Sequence, residues 1–121
     1  MDKEIRVMFS KNANEQYEEL NELVGKEIVK GVESSAHQSL LRAIDRIKDL
    51  LRKDPFLGNQ IRKNLIPKEY SLKYGADNLW RVELPGRWRL LYSVIGGEVY
   101  ITNFILDIVN HKKYNKLFGY K

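Results

Sequence analysis

Arginines interrupt an otherwise apolar segment, LWRVELPGRWRLLYSV, at residues 79–94. Arg81, Arg87 and Arg89 lie there among two tryptophans, a tyrosine and aliphatic side chains. A guanidinium group always carries its charge and presents a fork of donors that fits phosphate oxygens. The arginines therefore predict a phosphate clamp. The alternative is a cross-strand ion network, in which Arg81 and Arg89 stand on either side of Glu83.

A second cationic cluster lies in the closing segment NHKKYNKLFGYK, residues 110–121. Cleavage of RNA through its 2′-hydroxyl requires a base for that hydroxyl, charge stabilisation of the phosphorane and an acid for the leaving oxygen, and it needs no metal. A histidine, lysines and tyrosines can meet these requirements. The residues concerned are His111, Lys112, Lys113, Tyr114, Lys116 and Tyr120. The alternative is that this segment is the solvated end of a helix, and that Leu117 and Phe118 pack it against the domain.

The charge of the chain is concentrated in its second half. Residues 1–60 carry 10 basic and 11 acidic side chains, whereas residues 61–121 carry 11 basic and 5 acidic side chains. A basic half on a small domain favours a polyanionic partner. The absence of cysteine excludes disulfides and thiolate chemistry, and His37 and His111 are too few and too far apart to indicate a zinc site.

Periodicity predicts the elements that must position these residues. EIRVMF, residues 4–9, alternates like a strand. Ser10 or Asn12 caps a first helix. Ser35 caps a second helix, which ends before Pro55 because the residue preceding a proline avoids helical geometry.

Strands dominate the second half of the chain. The mixed signals of residues 55–78 predict a loop with room for one extra short strand. The strands LWRVEL, RWRLLYSV and EVYITNFIL follow, joined by Pro85-Gly86 and Gly96-Gly97. Residues 1–121 are thus predicted to form one α+β domain. Two N-terminal helices pack on one face of a mostly antiparallel four-stranded sheet, and a short helix ends the chain.

Alternation along these strands separates the arginines from the core. The side chains predicted to face the helices are Trp88, Leu90, Tyr92 and Val94. Arg89 then points to the opposite face, and Arg81 and Glu83 share that face if the two strands form a hairpin. We expect this second face to be open and concave.

Two motifs and the order of the elements resemble the RelE/ParE superfamily of type II toxins. The strand motif is GRWRLLY, similar to the family pattern Gly-aromatic-Arg-x-x-Tyr, and the closing motif is HKKYNKLFGY, similar to a His-basic segment with a nearby tyrosine. The resemblance in topology covers nearly the whole chain, and the motifs cover about the last third, from Leu79 onward.

The resemblance implies a role for individual residues. Arg89 matches the strand arginine that contacts phosphate, and Arg81 falls near a strand lysine that serves in proton transfer and charge stabilisation. Lys112 matches the basic residue after the histidine position, usually an arginine. Tyr114 or Tyr120 would orient the reacting nucleotide, although Phe118 lies nearer to the family spacing. The expected catalytic residues are Arg81, Arg89, His111, Lys112 and Tyr114, and the expected nucleic-acid-binding residues are Arg87, Lys113, Lys116 and Tyr120.

Two residues depart from the family pattern. Glu83 stands where RelE itself has a second lysine, and an acid there repels phosphate unless an arginine neutralises it. Lys112 is a point charge and cannot reproduce the bidentate contact of an arginine.

Three functions follow as expectations from the resemblance. RelE-like members cut messenger RNA on the ribosome without a metal, ParE-like members inhibit DNA gyrase, and a third possibility is a catalytically silent nucleic-acid-binding module of the same fold. The first implies mRNA on the ribosome and a small acidic antitoxin as partners, with no cofactor and no metal. No apolar signal region precedes the first strand, so we expect a cytoplasmic protein with no membrane partner.

Overall fold

The structure, a computed structural model, describes residues 3–119 and contains a five-stranded sheet with helices. The elements in chain order are β1 (Glu4–Phe9), α1 (Lys11–Val29), α2 (Ala36–Leu51), β2 (Asn59–Ile61), α3 (Lys68–Tyr74), β3 (Leu79–Leu84), β4 (Trp88–Gly96), β5 (Tyr100–Val109) and α4 (His111–Phe118). The strand order is β1-β5-β4-β3-β2. β1 pairs with β5 in parallel and the other pairs are antiparallel, so the sheet is mixed and mostly antiparallel.

Serine caps begin both long helices, as predicted. The Ser10 hydroxyl accepts a hydrogen bond from the Ala13 backbone N–H at 3.0 Å, and the Ser35 hydroxyl accepts one from the Gln38 N–H at 3.1 Å. Each cap satisfies one of the N–H groups that a helix start leaves without an intrahelical partner. Ser10 also donates to the carbonyl oxygen of Leu106 at 2.8 Å, which ties the start of α1 to β5.

One sheet face packs against α1 and α2 and forms the larger core. Leu90 and Tyr92 of β4 are fully buried there, together with Ile44 and Leu51 of α2. Trp88 and Val94 are partly buried against the same cluster. The predicted inward face of β4 is therefore confirmed, and the side chains of Arg89 and Leu91 belong to the other face.

The second sheet face is not open, and that expectation is wrong. It carries apolar side chains from three strands, which α3 and α4 cover. The residues of this smaller core are Tyr70, Ala76, Leu79, Leu91, Leu106, Val109 and Tyr114. The physical reason is the apolar area of the strands themselves, because buried leucine and valine side chains on both faces require a layer on both faces.

The sheet has five strands rather than the predicted four. The additional strand, β2, pairs antiparallel with β3 through Gln60 and Trp80. Its sequence is short and polar, so periodicity gives it little signal. Gly58 precedes it at a position where a Cβ atom would collide with the carbonyl oxygen of Arg81. The prediction for residues 55–78 had room for this short strand but missed α3.

The motif tyrosine of β4 fixes the approach to β2. The Tyr92 hydroxyl donates to the Pro55 carbonyl oxygen and accepts from the Gly58 N–H, both at 3.0 Å. Burial raises the pKa of Tyr92 above its ordinary value. A separate finding is that none of the helices within residues 3–119 combines the length and apolarity needed to cross a membrane.

Candidate functional site

Two arginines on neighbouring strands meet one tyrosine of α4. Arg81 of β3 donates a hydrogen bond from Nη1 to the Tyr114 hydroxyl, and its guanidinium carbon lies 5.8 Å from the centroid of the Tyr114 ring. The guanidinium carbon of Arg89 of β4 lies 4.8 Å from the same centroid. Both distances fit cation–π contacts. We use the name arginine site for Arg81, Glu83, Arg89, His111 and Tyr114.

The guanidinium group of Arg89 is largely enclosed. Its side chain is 14% exposed, and Nη1 donates to the carbonyl oxygen of Arg87. Glu83 lies directly opposite Arg89 in the strand register, with its Oε1 atom 3.9 Å from Arg89 Nε. The Nε atom is buried and has no hydrogen-bond partner within residues 3–119. A buried donor without an acceptor is costly, and the nearby Glu83 carboxylate offsets that cost by charge rather than by a hydrogen bond.

A strained turn holds the acceptor for Arg89. Gly86 and Arg87, between β3 and β4, have φ angles of 72° and 62°. Arg87 is the only non-glycine residue with a positive φ among those described. Left-handed geometry costs a residue with a Cβ atom about 1–2 kcal/mol. The Arg87 side chain is nevertheless exposed, so the turn presents another cation beside the arginine site.

His111 is the first residue of α4 and follows the strand that pairs with β4. In the register of β4 and β5, Arg89 pairs with Val109, two residues before His111. His111 Nε2 lies 3.2 Å from the Asn115 side-chain nitrogen, and the buried Nδ1 atom has no hydrogen-bond partner in the described part of the chain. The Nδ1 atom is therefore shielded from solvent as well as unpartnered within residues 3–119.

The closing cluster is divided between two sides of α4. Tyr114 packs against the sheet, and the Phe118 ring lies 4.6 Å from it between centroids. Helical spacing of about 100° per residue puts Lys112 and Lys116 on the side opposite Tyr114. These two lysines line a groove together with Lys113. The structure thus brings Arg81, Arg89 and Tyr114 together, with His111 at the start of the same helix. Lys112 and Lys116 lie on the opposite side of that helix, and Tyr120 lies outside the described residues.

Sequence reasoning missed a buried carboxylate that connects three helices. Asp107 is 2% exposed and lies at a β-bulge of β5. Its Oδ1 accepts from Asn12 Nδ2 and Gln16 Nε2, both at 3.0 Å, and its Oδ2 accepts from the Tyr70 hydroxyl at 2.8 Å and lies 3.2 Å from Lys113 Nζ. The available signal was a single charge within the apolar strand ITNFILDIV.

Asp107 and its surroundings determine the protonation of Tyr70. Burial is the main cause that raises the Tyr70 pKa well above its ordinary value, and the negative charge of Asp107 and its hydrogen bond add to the effect. Tyr70 therefore remains a neutral donor to Asp107 at neutral pH. The ion pair with Lys113 and the bond with Tyr70 fix the start of α4 against α3, and thereby the position of Tyr114.

The side chain of Gln16 hydrogen-bonds to the edge of β5 past the point where its pairing with β1 ends. The last pair of the β1–β5 register joins Phe9 to Ile105. Further along, the Gln16 side-chain amide accepts from the Ile108 N–H and donates to the Ile108 carbonyl oxygen, both at 3.0 Å. Gln16 thus supplies the donor and acceptor of a strand neighbour, and it anchors α1 to the strand that leads into α4.

Within residues 3–119, no group of three or more histidine, aspartate or glutamate side chains is close enough to hold a metal ion. Comparisons with protein-family models, with curated proteins and with solved structures found no match for this chain. The resemblance to RelE/ParE toxins therefore stays a prediction from the order of the elements and the two sequence motifs.

Proposed function

We propose that the chain is a RelE/ParE-like toxin that cleaves messenger RNA on the ribosome without a metal, and that the arginine site holds the scissile phosphate. The observation that supports this proposal best is the guanidinium of Arg89, whose buried Nε has no hydrogen-bond acceptor within residues 3–119. Arg81 lies on the same side of the sheet and contacts the same tyrosine. Two cations of this kind would stabilise a phosphorane more strongly than either would alone.

The chemistry would be an in-line attack by the 2′-oxygen on phosphorus. The P–O bond to the 5′-oxygen breaks, which leaves a 2′,3′-cyclic phosphate and a 5′-hydroxyl. A base takes the proton of the 2′-hydroxyl and an acid gives a proton to the leaving oxygen. Glu83, which is 64% exposed, and His111, the first residue of α4, are the groups proposed for these proton transfers.

Tyr114 would act through the arginines. Only 3% of its surface is exposed, so its hydroxyl and ring hold the guanidinium groups rather than meet solvent. Lys112 would raise the positive potential around the site from the far side of α4. The proposal implies a small acidic antitoxin that neutralises the basic surface, and a cytoplasmic site of action at the ribosome.

Cleavage in a translation reaction tests this proposal. The purified protein is added to a cell-free translation system, and the 5′ ends of a defined mRNA are mapped by primer extension. New ends are expected only where ribosomes are bound, and the double variant R81A/R89A should produce none. Arg42→Ala is the matched control, because it removes an exposed cation from α2. Intact mRNA at a protein concentration that binds ribosomes would refute the proposal.

Glu83→Gln identifies the base in the same assay. If Glu83 takes the 2′-hydroxyl proton, the variant loses cleavage and the acidic limb of its pH profile becomes flat. If Glu83 is only the ion-pair partner of Arg89, the cleavage activity of the variant stays near that of the wild type.

A ParE-like inhibitor of DNA gyrase is the second candidate, and Glu83 is the observation that favours it. A carboxylate opposite Arg89 repels phosphate and suits a binding role better than nuclease chemistry. Induction of the protein in cells separates the two candidates, because a nuclease arrests translation whereas a gyrase inhibitor triggers the DNA-damage response. A silent nucleic-acid-binding module would cause neither response.

A further inference from the structure

A basic groove lies between the start of α3 and the outer side of α4. Its volume is about 670 Å³. Four of its lining residues are lysines from two separate elements: Lys68 of α3 and Lys112, Lys113 and Lys116 of α4. We call this surface the lysine groove. Tyr114 and the arginine site lie on the other side of the same helix.

The positive charge of the lysine groove is largely uncompensated. Lys113 pairs with Asp107, but Lys68, Lys112 and Lys116 form no ion pair within residues 3–119. Among the described residues that line the groove, Glu69 is the single carboxylate. Lys112 and Lys116 are four residues apart on one helix, so their charges repel one another. A polyanion relieves that repulsion and releases its own counterions.

The lining favours a nucleic-acid backbone over an acidic peptide. A peptide that folds on binding must bury apolar side chains to offset the loss of conformational freedom. The apolar residues of the groove are Pro67 and Leu117, both partly exposed, and none of the large exposed apolar side chains of the described residues lies there. The groove offers positive charge at spaced points, which is what a phosphodiester backbone requires.

We propose that the lysine groove binds the phosphodiester backbone of single-stranded RNA, next to the segment held at the arginine site. The proposal rests on the proposed function for the identity of the polyanion, but binding here is measurable whether or not cleavage occurs. No aromatic side chain of residues 3–119 lines the groove to stack on a base, so the interaction would be electrostatic and tolerant of sequence.

The salt dependence of RNA binding tests this proposal. Fluorescence anisotropy measures the affinity of the full chain for a labelled oligouridine over a series of salt concentrations. The test variant is Lys68→Gln/Lys116→Gln, and the control is Lys30→Gln/Lys53→Gln, which removes the same charge from exposed positions outside the groove. All four lysines are at least partly exposed, so both variants should fold, as thermal unfolding will verify.

The groove variant is expected to bind RNA roughly tenfold more weakly, with a slope of log K against log salt that is smaller by about 1.4, or about 0.7 for each phosphate that the protein no longer neutralises. The control should keep the wild-type slope. Equal slopes for both variants would overturn the proposal. So would a result in which the groove variant loses affinity for polyglutamate but keeps its affinity for RNA, because the occupant would then be an acidic protein. Wild-type RNA binding without mRNA cleavage would defeat only the proposed function.

Discussion

Arg81 and Tyr114 join the sheet to the closing helix through a hydrogen bond between a guanidinium and a phenol. Tyr114 is buried, and Arg89 contacts its ring from the neighbouring strand. The geometry of the two cations therefore depends on where α4 docks, and α4 in turn is fixed at its start by the Lys113–Asp107 ion pair.

Tyr114→Phe should weaken that docking while the ring stays in place. The variant loses a hydrogen bond to a charged donor, so the free energy of unfolding should fall by about 1.5–3 kcal/mol. Urea denaturation measures this change, and cleavage should fall less than in Arg89→Ala. An unchanged unfolding midpoint would mean that the hydroxyl contributes nothing to the attachment of α4.

Arg87→Gly should separate stability from function. Glycine adopts the left-handed geometry without a Cβ penalty, but it loses more chain entropy on folding. The free energy of unfolding should therefore rise by up to about 1 kcal/mol. The melting temperature should stay level or rise while RNA affinity falls, because the variant lacks an exposed cation. Arg87→Ala removes the same charge and keeps the strain, so it should lose affinity without becoming more stable. A destabilised glycine variant would contradict this account of the turn.

Asp107→Asn should destabilise the fold strongly. The change removes the ion pair with Lys113. It also replaces one of the two accepting carboxylate oxygens by an NH₂ group, which can only donate. Leaving buried donors unsatisfied should cost roughly 2–4 kcal/mol, measured by chemical denaturation. Lys113→Gln is the matched comparison, and it should cost less because Lys113 is 45% exposed and Asp107 keeps its other donors. Equal losses in both variants would argue against a network centred on Asp107.

Tyr70 should make the fold sensitive to alkaline pH. Its pKa is raised mainly by burial, so the folded state holds the phenol proton more tightly than the unfolded chain does. The resulting stability is complete below the unfolded pKa, about 10, and is lost as the pH rises above it, with a slope of up to about 1.4 kcal/mol per pH unit.

When the pH is raised from neutral to alkaline, the free energy of unfolding should therefore fall less in Tyr70→Phe than in the wild type. Tyr17 and Tyr92 also have raised pKa values and remain in the variant, so the decline should become shallower without disappearing. If the free energy of unfolding of the variant and of the wild type fell in parallel with pH, Tyr70 would not be a source of the alkaline sensitivity.

Local signals in the sequence predicted much of the frame. The caps at Ser10 and Ser35 and the inward face of β4 follow from interactions that span only a few residues, and the structure confirms them. For β2 the sequence predicted no more than room for one extra short strand in residues 55–78, because three residues that include Asn59 and Gln60 carry no apolar alternation and their pairing depends on a distant partner strand.

The surroundings of the arginines depended on long-range packing. Nothing local to Tyr70 or Asp107 indicates that they meet, since 37 residues separate them. The division of the closing cluster between two sides of α4 follows from helical geometry, but it has meaning only once Tyr114 is known to dock on the sheet. Spacing alone therefore grouped residues that the fold separates.

The central claim is that Arg89 holds a phosphate, and the rate of ribosome-dependent mRNA cleavage by an Arg89 series tests it most directly. Arg89→Ala should reduce the rate by about 10²–10³, as loss of one electrostatic stabiliser does. Arg89→Lys should recover only part of that loss, because lysine keeps the charge but not the fork of donors. Arg42→Ala should cleave like the wild type. If Arg89→Ala folds and cleaves mRNA as fast as the wild type, the phosphate clamp is wrong, and Arg89 serves only its interactions with Glu83 and Tyr114.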